Sequence, residues 1–250
     1  MKLDSIDWIC IHAGFLTRSI KIHWLLNELE LPFEIVRHSI SHHQSKISLI
    51  YHDMNSGQHT TEPNPHPLKK VPCIEYKMTG SDSKHVLFET NAILLFLLAC
   101  LKDGGDEKDL MRMGERLQWI FYTDNTFEME AVHPFRLVRE LCEKKGVKMG
   151  QPVPMDTEET SEFENATKNV KKCLEFIEKQ LSSQQEFLLG DEFDVADICV
   201  GYCLRGMQMI GLLSEDTSFP HCREYLNRLV NRPAFKKTLM ESMATSMSNK

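Results

Sequence analysis

The sequence lacks the features that mark several broad classes. Its longest apolar run, Ala92 to Leu101, is about half of the roughly 20 residues that a membrane-spanning helix needs, so no bilayer span is expected. The opening stretch, MKLDSIDW, has acids where a secretory signal would place its apolar segment, which points to a cytoplasmic protein. No two of the eight cysteines, at 10, 73, 100, 142, 173, 199, 203 and 222, are spaced as CxxC. Neither a dithiol redox centre nor a zinc ribbon is therefore indicated. Neither half is basic: the first 100 residues carry 9 basic and 10 acidic groups, and the remainder holds nearly all of the net charge of −7. Nucleic acid and anionic membrane are thus not expected partners. There is no internal repeat. With 42% hydrophobic and 26% charged residues in 250, fibrous and disordered classes are excluded, and one large or two modest domains can each bury a core.

Cysteine and histidine are the polar residues that stand out. Cys10 in WICI and Cys100 in LLACL sit among apolar neighbours and read as reduced, buried thiols. Cys199 and Cys203, four apart, share a helix face and read as packing. Eight of the 11 histidines fall between 12 and 66, and His38, His42, His43, His52, His59 and His66 crowd one polar stretch. That stretch reads as a solvated loop, and no metal is expected.

Periodicity divides the chain in two. Trp8 to His12 reads as a strand, and Ile22, Leu25 or Leu26, and Leu29 repeat at helical spacing, with Thr17 where an N-cap belongs. Leu31-Pro32 ends that helix and Phe33 to Val36 reads as a second strand, giving a βαβ unit. Residues 39–70 are polar and irregular, with a helix expected around 45–51. Strands at 71–76 and 85–88 and an apolar helix from Ala92 to Leu101 complete a compact α/β domain over 1–101. KDGGD, 102–106, marks a linker over 102–108. An all-helical domain should fill 109–250. Its parts are a long helix over 110–141 kinked near His133-Pro134, an acidic loop over 144–164, and a helix over 163–181. A buried helix over 194–213, with Asp194 as N-cap and Asp197 reaching back, is followed by two short helices split by Pro233.

Four segments in order resemble the cytosolic glutathione transferases. They are IHAGFLTRSIKIHWLLNELELPFEIV at 11–36, the pair His66-Pro67-Leu68-Lys69-Lys70-Val71-Pro72 and Leu87-Phe88-Glu89-Thr90-Asn91-Ala92-Ile93, FLLGDEFDVAD at 187–197, and YLNRLVNRPAFKK at 225–237. The first is similar to Ser-type bacterial and fungal members, which read SRSxR before the same WLL run. The resemblance implies a thioredoxin-like N-terminal domain, a C-terminal helical bundle, a homodimer, and glutathione as co-substrate with no other cofactor. Val71, before a cis Pro72, would pair with the cysteinyl part of the peptide. Glu89 and Thr90 would hold its γ-glutamyl end and Lys70 its glycyl end.

A free thiol, with a pKa of about 8.5, needs a donor to become a thiolate at neutral pH. Thr17 matches the family's serine, with Ser19 as the alternative, and His12 stands near the place of the tyrosine in Tyr-type members. Phe15, Trp119, Tyr122 and the neighbouring Phe121 and Phe127 are candidates for an apolar second-substrate pocket. Lys69 departs from the family glycine, and the loop before Val71 is about ten residues longer than an ordinary connector. The function implied is conjugation of glutathione to apolar electrophiles. A glutathione-dependent peroxidase or reductase, or a non-catalytic binding or assembly module on the same fold, remain open alternatives.

Overall fold

The computed structural model describes residues 5–14, 17–41, 48–53, 64–100, 107–183, 185–214 and 218–243. Five strands form one sheet: β1 (Ile6–Gly14), β2 (Glu34–Ser41), β3 (Ser48–Asp53), β4 (Cys73–Met78) and β5 (Lys84–Phe88), in the order β3-β2-β1-β4-β5. β1 and β2 are parallel, joined by α1 (Ser19–Glu28), and every other pairing is antiparallel. α2 (Thr90–Ala99) follows β5 directly.

The pleat gives the sheet two unlike faces. Ile9, Ile11 and Ala13 of β1 share a face with Ile74 and Tyr76 of β4, and the Tyr76 ring lies 4.7 Å from that of Phe96 on α2. Ile22, Leu25 and Leu26 of α1 and Ile93, Leu94 and Leu97 of α2 are buried and complete this core. The opposite face carries Cys10, His12, Cys73 and Glu75, with His38 on β2 hydrogen-bonded to His12.

The helical part comprises α3 (Glu107–Tyr122), a π-helical turn (Thr123–Phe127), α4 (Glu128–Lys145), α5 (Thr157–Leu181), α6 (Val195–Met209) and α7 (Pro220–Val230). α6 is its centre, with Ile198, Cys199, Val200 and Leu204 fully buried. As the sequence implies, Asp194 caps α6 and Asp197 bonds back to the Asp194 N–H in a capping box. Arg116 of α3 grips the Asp194 carboxylate at both ends, at 2.7 and 2.6 Å. Burial pulls that carboxyl upward, but the guanidinium and the Ala196 N–H hold it below the ordinary carboxylate range.

Several boundaries differ from expectation, each for a local reason. The expected helix over 45–51 is contradicted where it is described, since 48–53 pairs with β2 as strand β3. Positions 42–47 and 54–63 lie outside the described residues. The irregularity expected at Pro134 falls upstream, where the Thr123 hydroxyl donates to the Ile120 carbonyl and competes with the helical ladder. α5 begins at Thr157 rather than 163. The acids read as a loop include a capping box, Asp156 with Glu159, and first-turn carboxylates that favour a helix start.

The chain forms two compact units, 1–105 with 232–250, and 106–231. The sequence reading gave all of 109–250 to the helical domain; the last helix, α8 (Pro233–Met243), instead packs on α1. Arg232 forks onto Glu28 at 2.7 and 2.8 Å, the Trp24 indole also donates to Glu28, and Phe235 packs edge-on against Trp24. Glu241 accepts from Asn27 at 3.1 Å and lies 2.6 Å from the His23 ring nitrogen, and its carbonyl takes a bond from Arg37. Burial alone would raise the Glu241 carboxyl, yet Asn27 and His23 carry it below its ordinary value. The units divide between Asn231 and Arg232, so Pro233 opens a helix of the first unit rather than a second helix of the helical domain.

Two outcomes follow. Asp194→Ala removes the cap of α6 and the carboxylate partner of a buried guanidinium, and should cost about 3 kcal/mol or more in urea unfolding, with Asp194→Asn costing less. The depressed Glu241 stabilises fully above a pH of about 4.3 and loses that contribution as the pH falls. Thermal unfolding should therefore drop in acid, less steeply in Glu241→Gln.

Candidate functional site

The sheet register assembles one end of the first unit. His12 of β1 faces Cys73 of β4, which faces Phe88 of β5. The residues after β1, those before β4 and those after β5 therefore emerge at the same end. They are Thr17 to Ser19, Asn64 to Pro72, and Glu89-Thr90. The N-termini of α1 and α2 also lie there, and helix N-termini favour negative charge.

The hydroxyls of Thr17 and Ser19 form a connected pair. Thr17 Oγ1 donates to the Gly14 carbonyl at 2.9 Å, so its single proton is committed. The 2.7 Å bond between the two hydroxyls must then run from Ser19 to Thr17. Ser19 in turn accepts from the Gly14 N–H at 3.2 Å, and Thr17 accepts from the Ser19 N–H at 3.3 Å. Thr17 is half-buried and Ser19 is buried. The residue at the helix cap is Arg18, without a side-chain cap bond, so Thr17 is not the N-cap that the sequence suggested. Ser19, the buried first residue of α1, ties the helix start to the end of β1. Phe15 lies outside the described residues.

The segment before β4 is braced by Asn64, which the sequence reading passed over. Its amide donates to the Lys70 carbonyl, while its oxygen accepts from the His66 N–H and the Cys73 thiol. The signal available was Asn before Pro, a turn initiator. Val71-Pro72 is a cis peptide bond. Pairing of β4 begins at Cys73, so Val71 stands ahead of the ladder and is half-exposed. Lys69 has φ of 53°, a backbone state that favours glycine, and its Nζ donates to the Asn64 carbonyl at 2.8 Å. Lys70 is exposed.

His66 links this segment to the next. Its ring lies 4.9 Å from that of Phe88. Burial lowers its pKa below the ordinary histidine value, the nearby Glu89 charge opposes this, and Lys70 adds to it. Glu89 and Lys70 are thus both near enough to His66 for their charges to act on it. Glu89 is exposed and has φ of 70° and ψ of 119°, a strained state for a residue with a side chain. It makes no side-chain cap bond to α2, and Thr90, the first residue of that helix, is buried.

The remaining candidates have other partners. His12 is buried, bonded through one ring nitrogen to His38 at 3.0 Å and through the other to Glu75 at 2.9 Å. His38, expected in a solvated loop, lies in β2 and is buried. Trp119 and Tyr122 belong to the helical unit. Trp119 is buried, and both rings pack on Phe176 of α5, with centroids 5.6 and 5.2 Å away. Phe127 is buried while Phe121 is exposed.

Comparison with known proteins supports the fold. The family model described as "Glutathione S-transferase, C-terminal domain" matches residues 160–228. No curated protein matches this chain. Among solved structures, a glutathione transferase family member from Pseudomonas fluorescens pf-5, with two glutathione bound, is 21% identical with a TM-score of 0.63. That match covers 93% of this chain and 92% of the other. The glutathione transferase URE2P6 from Phanerochaete chrysosporium, in complex with oxidised glutathione, is 20% identical with a TM-score of 0.63, covering 95% and 97%. A sphingomonad glutathione S-transferase complexed with glutathione is 21% identical with a TM-score of 0.60, covering 93% and 98%. The chain has the two-part fold of these enzymes, a thioredoxin-like sheet unit and a helical unit. No helix among the described residues is long and apolar enough to cross a membrane.

The strain at Glu89 makes a test. Glu89→Gly should raise unfolding stability by about 1 kcal/mol by relieving the positive φ. The same change should weaken retention on immobilised glutathione if the side chain serves a ligand.

Proposed function

We propose that this chain is a glutathione transferase that binds glutathione at the sheet end formed by Thr17, Val71 and Glu89, and conjugates its thiolate to apolar electrophiles. The observation that carries the reading is the convergence there of a hydroxyl just ahead of a helix start, an extended segment ahead of its ladder and an acid held in a strained turn. In this reading the Val71 backbone pairs with the cysteinyl unit as a short added strand. Glu89 takes the ammonium group of the γ-glutamyl end, Thr90 and the start of α2 take its carboxylate, and Lys70 meets the glycyl carboxylate.

Thr17 is the thiol-activating group. Its proton turns from the Gly14 carbonyl toward the sulfur and donates to the thiolate, lowering the thiol pKa. Ser19 acts as a positioning residue: its own proton points at Thr17 and keeps the Thr17 oxygen in place. Proximity to the bound electrophile supplies the remaining acceleration. Trp119 and Tyr122 are proposed to serve the electrophile pocket, and the assembly is proposed to be a cytoplasmic homodimer.

A second reading has its own observation. The Thr17 proton is committed to Gly14, which favours a binding module that holds glutathione without activating it. The test separates the two. Retention on glutathione resin with turnover of a generic aromatic electrophile supports the transferase, and retention without turnover supports the module. In the transferase, Thr17→Val should cut turnover at neutral pH by about 10²-fold. The pH at which bound thiolate appears in the ultraviolet should rise, and Thr17→Ser should restore both. Ser19→Ala should have a smaller effect in the same direction. Unchanged turnover in Thr17→Val would remove Thr17 from the chemistry.

A further inference from the structure

The sheet face turned away from α1 and α2 holds an unusual group of side chains. Cys10 and His12 lie two residues apart on β1, and Glu75 of β4 is paired directly with Cys10. Cys10 and His12 are 2% and 1% exposed. A ligand atom from each of the three, the thiol sulfur, a ring nitrogen and a carboxylate oxygen, lies within 4.8 Å of the other two.

We propose that Cys10, His12 and Glu75 bind a divalent transition-metal cation of the zinc class, with His38 supporting His12 from behind. The donor set is the first argument: sulfur, nitrogen and carboxylate oxygen together suit a borderline cation such as Zn²⁺ or Co²⁺ and do not suit Mg²⁺ or Ca²⁺. Spacing is the second. Ligand atoms around a tetrahedral zinc stand about 3.3–3.8 Å apart at bond lengths of about 2.0–2.3 Å. The present separations, from the 2.9 Å His12–Glu75 contact upward, reach that range by side-chain rotation within two paired strands. Charge is the third. Cys10 loses its proton to solvent on binding, and one thiolate plus one carboxylate neutralise the two positive charges, so a buried site carries no net charge.

The arrangement behind His12 fits the same purpose. Its Nε2 faces Glu75 and its Nδ1 lies 3.0 Å from His38 Nε2. A ligating histidine commonly donates its second ring N–H to such a partner, which fixes the tautomer and the ring plane. In the loaded state His12 gives its Nε2 lone pair to the cation and donates Nδ1–H to His38. Glu75 is 15% exposed and offers the entry side, where Lys84 Nζ stands 3.7 Å from its other oxygen. Lys84 is itself half-exposed and can swing away. With three protein ligands, a fourth position stays open to water or an added ligand.

The experiment is a titration of the chelator-treated, dialysed chain with Zn²⁺ against a chromophoric chelator, and in parallel with Co²⁺. The expected result is one equivalent of either ion per chain and a thiolate-to-cobalt band in the near ultraviolet. Cys10→Ser should abolish the band. Glu75→Gln should weaken uptake at least tenfold, and His38→Gln by about 10–100-fold. Lys84→Gln should tighten it. Cys73→Ser, at a buried thiol on the same face bonded to Asn64, should keep the band. The proposal is overturned by absence of uptake, by uptake without a thiolate band, by uptake indifferent to Glu75→Gln, or by a band lost in Cys73→Ser and kept in Cys10→Ser. Circular dichroism checks the fold of each variant. Should Cys10→Ser fail to fold, the partly exposed Glu75 and Lys84 variants decide.

Discussion

The register of β1 against β4, and of β4 against β5, is the constraint on which the first unit depends. A strand's side chains alternate between faces, so fixing His12 opposite Cys73 and Cys73 opposite Phe88 fixes every other position along those strands. One consequence is lateral: Ile9, Ile11 and Ile74 go to the helices, while Cys10, His12 and Glu75 go to the other face. Another is longitudinal: three connecting segments distant in sequence leave the sheet at one end. A slip of one residue would undo both at once. It would turn the isoleucines from the core and break the His12–Glu75 contact. Fold and candidate chemistry are therefore specified by the same few hydrogen-bonded pairs.

The helical unit is organised around a different kind of anchor. Asp194 and Asp197 open α6, and Asp197 accepts from the Leu188 and Asp194 N–H groups and from the Tyr225 hydroxyl. Helix start, preceding turn and α7 are thus tied to one buried carboxylate. Unpaired, such a group would be costly; with Arg116 completing the cluster at Asp194, it specifies which helix ends meet. The sheet unit shows the same logic where Glu28 and Glu241, each satisfied by several donors, seat α8 on α1. In both units acids held by several donors fix geometry, and the apolar contacts supply the bulk of the stability.

Much of this was legible in the sequence, and for identifiable reasons. The α6 capping box could be read because Asp-x-x-Asp before an apolar run has a local mechanism. The βαβ unit could be read because periodicity is local too, and the resemblance anticipated the cis Val71-Pro72 bond and pointed to Glu89-Thr90, which leaves the sheet at the same end. The failures share a cause. β3 and the burial of His38 depend on pairing across the sheet, which a polar stretch does not announce. α8 looks like a continuation of the helical run, and only its contacts with Trp24 and Asn27 assign it elsewhere. Thr17 has an N-cap's composition, yet its proton goes back to Gly14 and the cap falls on Arg18. The grouping of Cys10 with Glu75 needs a register that spacing cannot supply.

Backbone strain is concentrated at the candidate site. Two residues in glycine-like conformations flank this sheet end, Lys69 and Glu89. At Lys69 the cost is offset locally, because its side chain returns to the Asn64 carbonyl and helps hold the loop. At Glu89 the side chain makes no cap bond to the helix it precedes, and it is exposed. Glycine there would relieve the φ and would serve nearly as well as a cap. A strained, exposed acid with no cap bond to the helix it opens finds little justification in the backbone around it. In the proposed reading, that strain is retained for a group from outside the chain, the cationic end of a bound peptide.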